Sequence, residues 1–321
     1  MTGLPAWVLP AEPRHGVTLH AERMRRLLRP LAPDQRVATL DALPDGPVHV
    51  QFTDRLWGSS PEEAAERFRG LAACRAVTAT LHDVPQPSDG EGRFGRRAAC
   101  YAAVIAAAAG VVCSSEHEAQ LLREHVGATG PVAVIPLPLL PAPPAERPEP
   151  RATVGLLGYF YPGKGHAEAL AAMAAAGLAG ELGIEVLGAP SRGHEGELDD
   201  FVRSAQEAGF EVEVTGYLPD DELLARSRET GVPVIAHQHI SASGSLNSWL
   251  EAGRRPIVLR GRYTEEMDRL RPGTLTLADD DALGAAIAAA ASAPHSTWQE
   301  TAMPAPTTAR ALLDWWRGLA P

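Results

Sequence analysis

Cysteine, aromatic residues, lysine and long apolar runs are all scarce in this chain, and each scarcity excludes something. Its 321 residues hold three cysteines, Cys74, Cys100 and Cys113. An odd number with no Cys-x-x-Cys pair excludes a disulfide framework and a cysteine zinc site, and it fits a reducing compartment. Aromatic residues make up 5%, too few for base-stacking platforms. Lys and Arg together number 29 against 40 Asp and Glu, a formal net charge of -11. A general nucleic-acid binder needs the opposite surplus, so no nucleic-acid partner is expected. The most apolar window, AACYAAVIAAAAGVVC (98–113), is alanine-dominated and flanked by Arg96 and Arg97. It is shorter than the ~18 residues of a membrane span and reads as a buried helix running into a strand. The start, MTGLPAWVLPAEPRHG, has no basic region followed by an apolar stretch, so no signal peptide and a cytoplasmic location are expected.

What the chain does have is alternation. In the first half, WVLP (7–10), VHVQF (48–52), VTATL (77–81), GVVC (110–113) and PVAVIP (131–136) are short β-branched runs. Between them lie helical patterns at 21–28, 61–70, 96–109 and 116–125. This order predicts a parallel sheet with crossover helices, a Rossmann-like α/β half. PLPLLPAPPAERPEPR (136–151) is too rich in proline for a helix interior or a central strand and reads as an extended connector. The alternation then restarts, with strands in ATVGLLG (152–158), IEVLG (184–188), FEVEVTG (210–216), VPVIA (232–236) and RPIVLRG (255–261). Helices are expected from about Lys164, near 195–208, and at 219–229, 245–253 and 280–292. The expected organisation is one domain over 1–140, a linker over 141–151, a second domain over 152–295, and a C-terminal helical segment over 296–321. ALLDWWRGL (311–319) in that last segment needs a surface to pack on, and the first domain is the candidate.

Open parallel sheets bind ligands beyond the carboxyl ends of their strands, so the residues that follow each strand are the candidates. GLLGYFYPGKGH (155–166) sets glycines and Lys164 between a strand and a helix, where N–H groups can hold an anion. Lys164 is the one lysine among the 29 basic residues. An ammonium is a compact charge with three rotatable donors, unlike the wide guanidinium fork. The alternative is a tight turn. In SASGSLNSWLEAG (241–253), small residues precede a helix, so a phosphate can approach the N–H groups of residues 244–246, and Glu251 can accept from ribose hydroxyls. A serine-rich N-cap with a surface glutamate is the plainer reading of that segment alone. TLHDVPQP (80–87) puts His82 and Asp83 at a strand end, with no nucleophile elbow to complete a triad. EPRHGV (12–17) puts Gly16 between the first strand and its helix. Arg23, Arg25, Arg26 and Arg29 beside Met24, Leu27 and Leu28 form a basic amphipathic stretch. The first 150 residues nevertheless carry fewer basic than acidic residues, so a solvated helix face is expected there and no membrane association.

The order HGV, TLHD, VVCSSEHEAQLL, VAVIPLPL, GLLGYFYPGKG, VTGYLPDDEL, SASGSLNSWLEAGRRPIV resembles nucleotide-sugar glycosyltransferases of the GT-B fold, particularly the retaining family four. The resemblance covers nearly the whole chain. It implies two Rossmann-like domains with parallel sheets facing a central cleft. It also implies transfer of a hexose-type sugar from a nucleotide-diphosphate sugar to the hydroxyl of a small-molecule or glycoside acceptor, with retention, no bound metal and no cofactor. By position, Lys164 resembles the lysine on the donor diphosphate and Glu251 the glutamate on the ribose. Ser243, Gly244, Ser245 and Leu246 occupy the loop that meets phosphate and sugar. Gly16 matches the first-domain glycine loop, His82, beside Asp83, matches the histidine near the transferred sugar, and Tyr217 lies where the base is met. Two positions depart from the pattern. Ser243 stands where many members have a glutamate, and Tyr159 where many have an arginine, so Arg254, Arg255 or Arg192 are the candidates to replace that charge. The competing expectations are a GT-B-fold nucleotide-sugar epimerase and a catalytically silent nucleotide-sugar-binding subunit.

Overall fold

The computed structural model describes residues 3–13, 15–143, 146–300 and 307–319. Arg14 of the EPRHGV segment, residues 144 and 145 of the expected linker and residues 301–306 of the expected C-terminal segment lie outside the described residues. The chain divides into two compact units, Met1–Pro138 with Pro306–Pro321, and Leu139–Ala305.

The first unit runs β1 (Ala6–Leu9), α1 (Gly16–Leu28), β2 (Val37–Thr39), β3 (Val48–Phe52), α2 (Asp54–Trp57), α3 (Pro61–Cys74) and β4 (Val77–Leu81). It continues with α4 (Glu91–Ala107), β5 (Gly110–Cys113), α5 (Glu116–Leu121) and β6 (Val132–Val134). The six strands pair in parallel in the order β2-β1-β3-β4-β5-β6. Alternation within the strands sorts their side chains to two faces. Val48, Val50 and Phe52 of β3, with Val77, Ala79 and Leu81 of β4, join the core formed with Phe68 and Tyr101 of α3 and α4. His49 and Gln51, the residues between, point to the other face. That second face is covered by α1 and by a helix from the far end of the chain. Helix starts follow local chemistry. The Ser60 hydroxyl accepts from the Glu63 N–H at 3.2 Å with Pro61 in the first turn, and Ser115 accepts from the Glu118 N–H at 3.0 Å.

The second unit runs β7 (Thr153–Leu157), α6 (His166–Ala175), β8 (Gly183–Leu187), α7 (Glu195–Glu207), β9 (Val212–Val214), α8 (Asp220–Glu229) and β10 (Val232–Ile235). After it come α9 (Gly244–Glu251), β11 (Ile257–Leu259), α10 (Arg262–Leu270), β12 (Thr276–Ala278) and α11 (Leu283–Ser292). Its sheet is also parallel, in the order β12-β11-β10-β7-β8-β9. The chain returns to the first unit as α12 (Thr308–Gly318), whose Ala309, Leu312, Leu313 and Trp316 pack with Trp7, Met24 and Leu28. The Trp316 indole N–H donates to His49 Nδ1 at 3.3 Å. Because an indole only donates, His49 Nε2 carries the ring proton and donates to the Thr80 hydroxyl at 2.9 Å.

The units meet in sequence at Pro138 and Leu139, slightly before the stretch expected as linker. Leu139 is buried in a core of the second unit, and the Ala142 N–H donates to the Glu251 carbonyl at 2.9 Å. β2, α2, α10 and β12 are not foreseen from the sequence. β2, α2 and β12 span three or four residues, and α10 is highly charged, burying only Tyr263, Thr264 and Met267. No described helix is long and apolar enough to cross a membrane.

Candidate functional site

In the second sheet β7 and β10 are neighbours, yet the chain leaves β7 toward β8 and leaves β10 toward β11. Loops after such a pair diverge and open a crevice at the carboxyl edge. Two close approaches hold these loops together. Gly165, at φ +90°, lies so near the end of β10 that a Cβ there would fall 2.0 Å from the Ala236 carbonyl oxygen. The Gln238 N–H also donates to the Gly163 carbonyl at 3.1 Å. Lys164 is thereby aimed across the crevice, and its Nζ donates to the Ser245 hydroxyl in the first turn of α9 at 3.0 Å. Gly158 closes the third side. At φ +114°, a Cβ added to it would lie 2.5 Å from Ser245 Oγ and 3.2 Å from Lys164 Nζ. Glycine is required there by both conformation and space.

The electrostatics of this corner favour an anion. Lys164 pairs with no carboxylate among the described residues. Burial lowers its pKa to about 8, so the ammonium lacks the hydration or counter-charge that would stabilise it. His166 and His237 beside it cannot help as cations. Burial, reinforced by the lysine charge, pushes His166 down to about 3 and His237 well below the ordinary value. Both ring nitrogens of buried His166 are without a hydrogen-bond partner. The α9 N-terminus adds the positive end of a helix dipole. Of the three N–H groups foreseen for a phosphate, that of Leu246 is already taken, donating to the Ser243 hydroxyl at 3.1 Å. Those of Gly244 and Ser245 remain at the crevice. Ser243 is buried as the N-cap, with its own N–H donating to the Tyr263 hydroxyl at 3.1 Å, and Leu246 is buried in the core beneath.

Glu251 ends α9 two turns on. Its Oε1 accepts from the Leu140 N–H at 2.9 Å, so the carboxylate also fastens the segment that leads in from the first unit. Tyr217 follows Gly216 beyond β9, two strands from the switch, and is 46% exposed. Of the arginines considered as replacements for a charge at Tyr159, Arg254 is excluded. It is fully buried, donates to the carbonyls of Ser227, Arg228, Thr230, Gly231 and Thr297, and lies 4.6 Å from the Trp298 ring. Burial, with Arg147 nearby, lowers its pKa to about 9. Arg255 donates to the Leu275 carbonyl at 3.1 Å, while Arg192 stands exposed in the loop after β8.

In the first unit, His82 and Asp83 follow β4. His82 is buried, and its Nε2–H donates to Gln51 Oε1 at 2.9 Å, which leaves Nδ1 as the ring's acceptor. Burial, with His15 and His49 near, lowers its pKa to about 3, so the ring is neutral at physiological pH. The His20 ring meets it edge-on at 4.9 Å. Asp83 has φ +49°, the single positive-φ residue other than glycine among those described. Arg97 donates to its carbonyl and the Thr53 hydroxyl donates to its Oδ2, so bonds from two other elements hold the unusual backbone. The Tyr101 hydroxyl donates to the His82 carbonyl. Gly16 opens α1. No atom would meet a Cβ there within 4 Å, and His15 caps the helix by accepting from the Val17 N–H at 3.2 Å. Sequence reasoning missed Gln51, which is 2% exposed with its amide nitrogen unpartnered. The signal was available, because Gln51 is an amide placed where strand alternation calls for an inward side chain.

No protein-family model matches the sequence, and no curated protein matches it either. Solved structures share the fold. HepE from Anabaena, in complex with UDP and glucose, superposes with a TM-score of 0.68 at 12% identity, covering 98% of this chain and 97% of that chain. Sucrose-phosphate synthase from Thermosynechococcus elongatus gives 0.62 at 15% identity, over 94% of this chain and 74% of that one. The UDP-forming α,α-trehalose-phosphate synthase from Burkholderia xenovorans gives 0.58 at 13%, over 92% and 75%. The expected fold class, two Rossmann-like α/β units on parallel sheets as in GT-B proteins, is therefore the one observed.

Proposed function

We propose that this protein is a glycosyltransferase that moves a sugar from a nucleoside-diphosphate sugar to an acceptor hydroxyl. The observation that carries the reading is the corner formed by Lys164, Ser245 and the first turn of α9 at the β7–β10 switch. As the bond between the anomeric carbon and the diphosphate breaks, charge develops on the departing phosphate. An ammonium without a carboxylate partner and two helix N–H groups are placed to receive it. The charged leaving group makes protonation by an acid unnecessary. With retention, the acceptor oxygen bonds to the anomeric carbon on the face the diphosphate leaves, and a phosphate oxygen takes its proton. Neutral His82, with Nδ1 as acceptor, orients a sugar hydroxyl and forms no covalent bond. Gly16 serves the diphosphate as the glycine of the first-domain loop, Asp83 stands beside His82 on the sugar, Glu251 accepts from the ribose, and Tyr217 meets the base. The positive charge needed is supplied by the protein, so the proposal includes neither a metal nor a cofactor.

HepE is solved with UDP and with UDP-glucose, which makes these the first ligands to try. The test is a thermal-shift screen across nucleotide sugars, since a ligand that binds only the folded state raises its melting temperature. It is followed by an assay of nucleoside diphosphate release with and without sugar acceptors. The proposal expects a shift and acceptor-dependent release. Conversion of the donor without any acceptor would instead indicate an epimerase, and a shift with no turnover a silent binding subunit.

A further inference from the structure

A cavity of about 480 Å³ in the first unit is lined by none of the residues assigned above. Its size falls within the ~300–1,000 Å³ of small-ligand pockets. It lies at the carboxyl edge of the sheet, where α2 leaves β3 and α4 follows the β4 loop. Arg55, Arg93 and Arg96 face into it together with Ser59, Ser60 and Asp54. Another cavity, of about 370 Å³, sits at the opposite edge of the second sheet, near the starts of β7 and β10, away from any strand end that carries chemistry.

The charges around the 480 Å³ cavity do not cancel. Asp54 is buried and occupied by Arg97, whose Nε and Nη2 reach its two oxygens at 2.8–3.1 Å. Arg97 also donates to Asp89 Oδ2 at 2.5 Å and to the Asp83 carbonyl at 2.6 Å. Burial opposes the Arg97 charge, but these carboxylates more than offset it and hold its pKa above the ordinary value. Arg96 is matched by Glu62 through two bonds of 2.7 Å, and Glu63 is taken by Arg67 and Ser59. Arg55 and Arg93 have no carboxylate partner among the described residues. Two uncompensated guanidinium groups thus share one concavity in a chain of net charge -11. Their bases are rigid, because Arg55 adjoins Asp54 and Arg93 stands one helical turn before Arg97, on either side of the buried pair. A cleft lined by one sign of charge concentrates ligands of the other sign. Arginine forks match phosphate and carboxylate oxygens in particular.

We infer that Arg55 and Arg93 in this cavity bind the anionic group of the acceptor, a phosphate or carboxylate carried on a sugar. The inference rests on the transferase reading for the word acceptor, and the binding itself can be measured without any donor. Titration calorimetry on the full chain at low salt would compare glucose, glucose 6-phosphate, glucuronate and inorganic phosphate, with UDP titrated separately. At least one of the two sugar anions should bind ten or more times tighter than glucose and tighter than inorganic phosphate, and the stronger of the two identifies the group. Arg55→Ala with Arg93→Ala should lose roughly tenfold of that affinity while leaving UDP affinity unchanged, and the double lysine variant should recover part of it. Both arginines are exposed, so these variants should melt with the wild type. The inference is overturned if glucose matches both sugar anions, if inorganic phosphate matches them, or if the alanine variant binds them as wild type does. Absent UDP binding beside intact sugar-anion binding would count against the transferase reading and leave the cavity assignment standing.

Discussion

Burial brings the Lys164 pKa to about 8, so the ammonium is largely protonated at pH 7 and largely neutral at pH 9. Affinity for a nucleoside diphosphate should therefore fall as pH rises across that interval, by up to about tenfold, while affinity for the nucleoside stays flat. Calorimetry at pH 7, 8 and 9 checks this, and equal slopes for the two ligands would remove Lys164 from the diphosphate. Glu251 accepts from the Leu140 N–H and is the residue proposed for the ribose, so its variants should separate two effects. Glu251→Gln keeps an acceptor for Leu140 and should leave stability close to wild type. Glu251→Ala should lose ~0.5–1.5 kcal/mol in urea unfolding, and discrimination against a 2′,3′-dideoxyribose donor should shrink. Unchanged discrimination in the alanine variant would move ribose recognition elsewhere. Lys164 was legible as a candidate because a lone lysine between glycines after a strand is a chemical signature, and its bond to Ser245 was not. The Ser243 cap was legible as an alternative, because serine before a helix has one dominant use. The Leu140 bond was not, since a contact across 111 residues leaves no local pattern.

Most elements announced themselves through period and punctuation, and α12 illustrates where that information stops. Its apolar spacing showed a face to bury, whereas its bed, Trp7, His49 and α1, is fixed only by folding. Trp316 is buried, edge-on to Trp7 at 6.1 Å, and its indole sets the His49 tautomer. Trp316→Ala should cost ~3–5 kcal/mol of first-unit stability, measured by urea unfolding, and a loss under 1 kcal/mol would contradict this packing. The short elements β2, α2 and β12 were not legible, since three or four residues hold too little period to stand out. α2 matters nonetheless, because Asp54 within it anchors Arg97 and, through it, the Asp83 backbone.

At the scale of the molecule, each unit keeps neutral histidines inside a parallel α/β framework. His49, His82 and His166 each have a pKa of about 3, lowered chiefly by burial, against 6.5 for the free ring. Between those values the unfolded chain binds more protons than the folded one, so stability should be lost as pH falls from 6.5 toward 3. Each ring contributes up to about 1.4 kcal/mol per pH unit. Melting temperature should hold near pH 7 and drop clearly by pH 5, and a flat profile would mean that these rings are solvated. The two-sheet architecture was legible because alternating strands and helices admit few arrangements. The side on which each loop opens was legible from the rule that parallel sheets bind at their carboxyl edge. The arginine cavity was not, because Arg55 and Arg93 are 38 positions apart and meet only in the fold. The proposed transfer depends on the Lys164 corner of the second unit holding a diphosphate, and the gap in affinity between UDP and uridine, measured in wild type and Lys164→Met, tests this most directly. UDP should bind wild type at least tenfold tighter than uridine, and in Lys164→Met that gap should shrink by about tenfold or more, the ~1.5–3 kcal/mol of a charge-assisted contact, with uridine unaffected. An identical gap in both proteins would contradict the assignment of Lys164 to the diphosphate, and wild type that binds neither UDP nor any other nucleoside diphosphate would contradict the transferase reading.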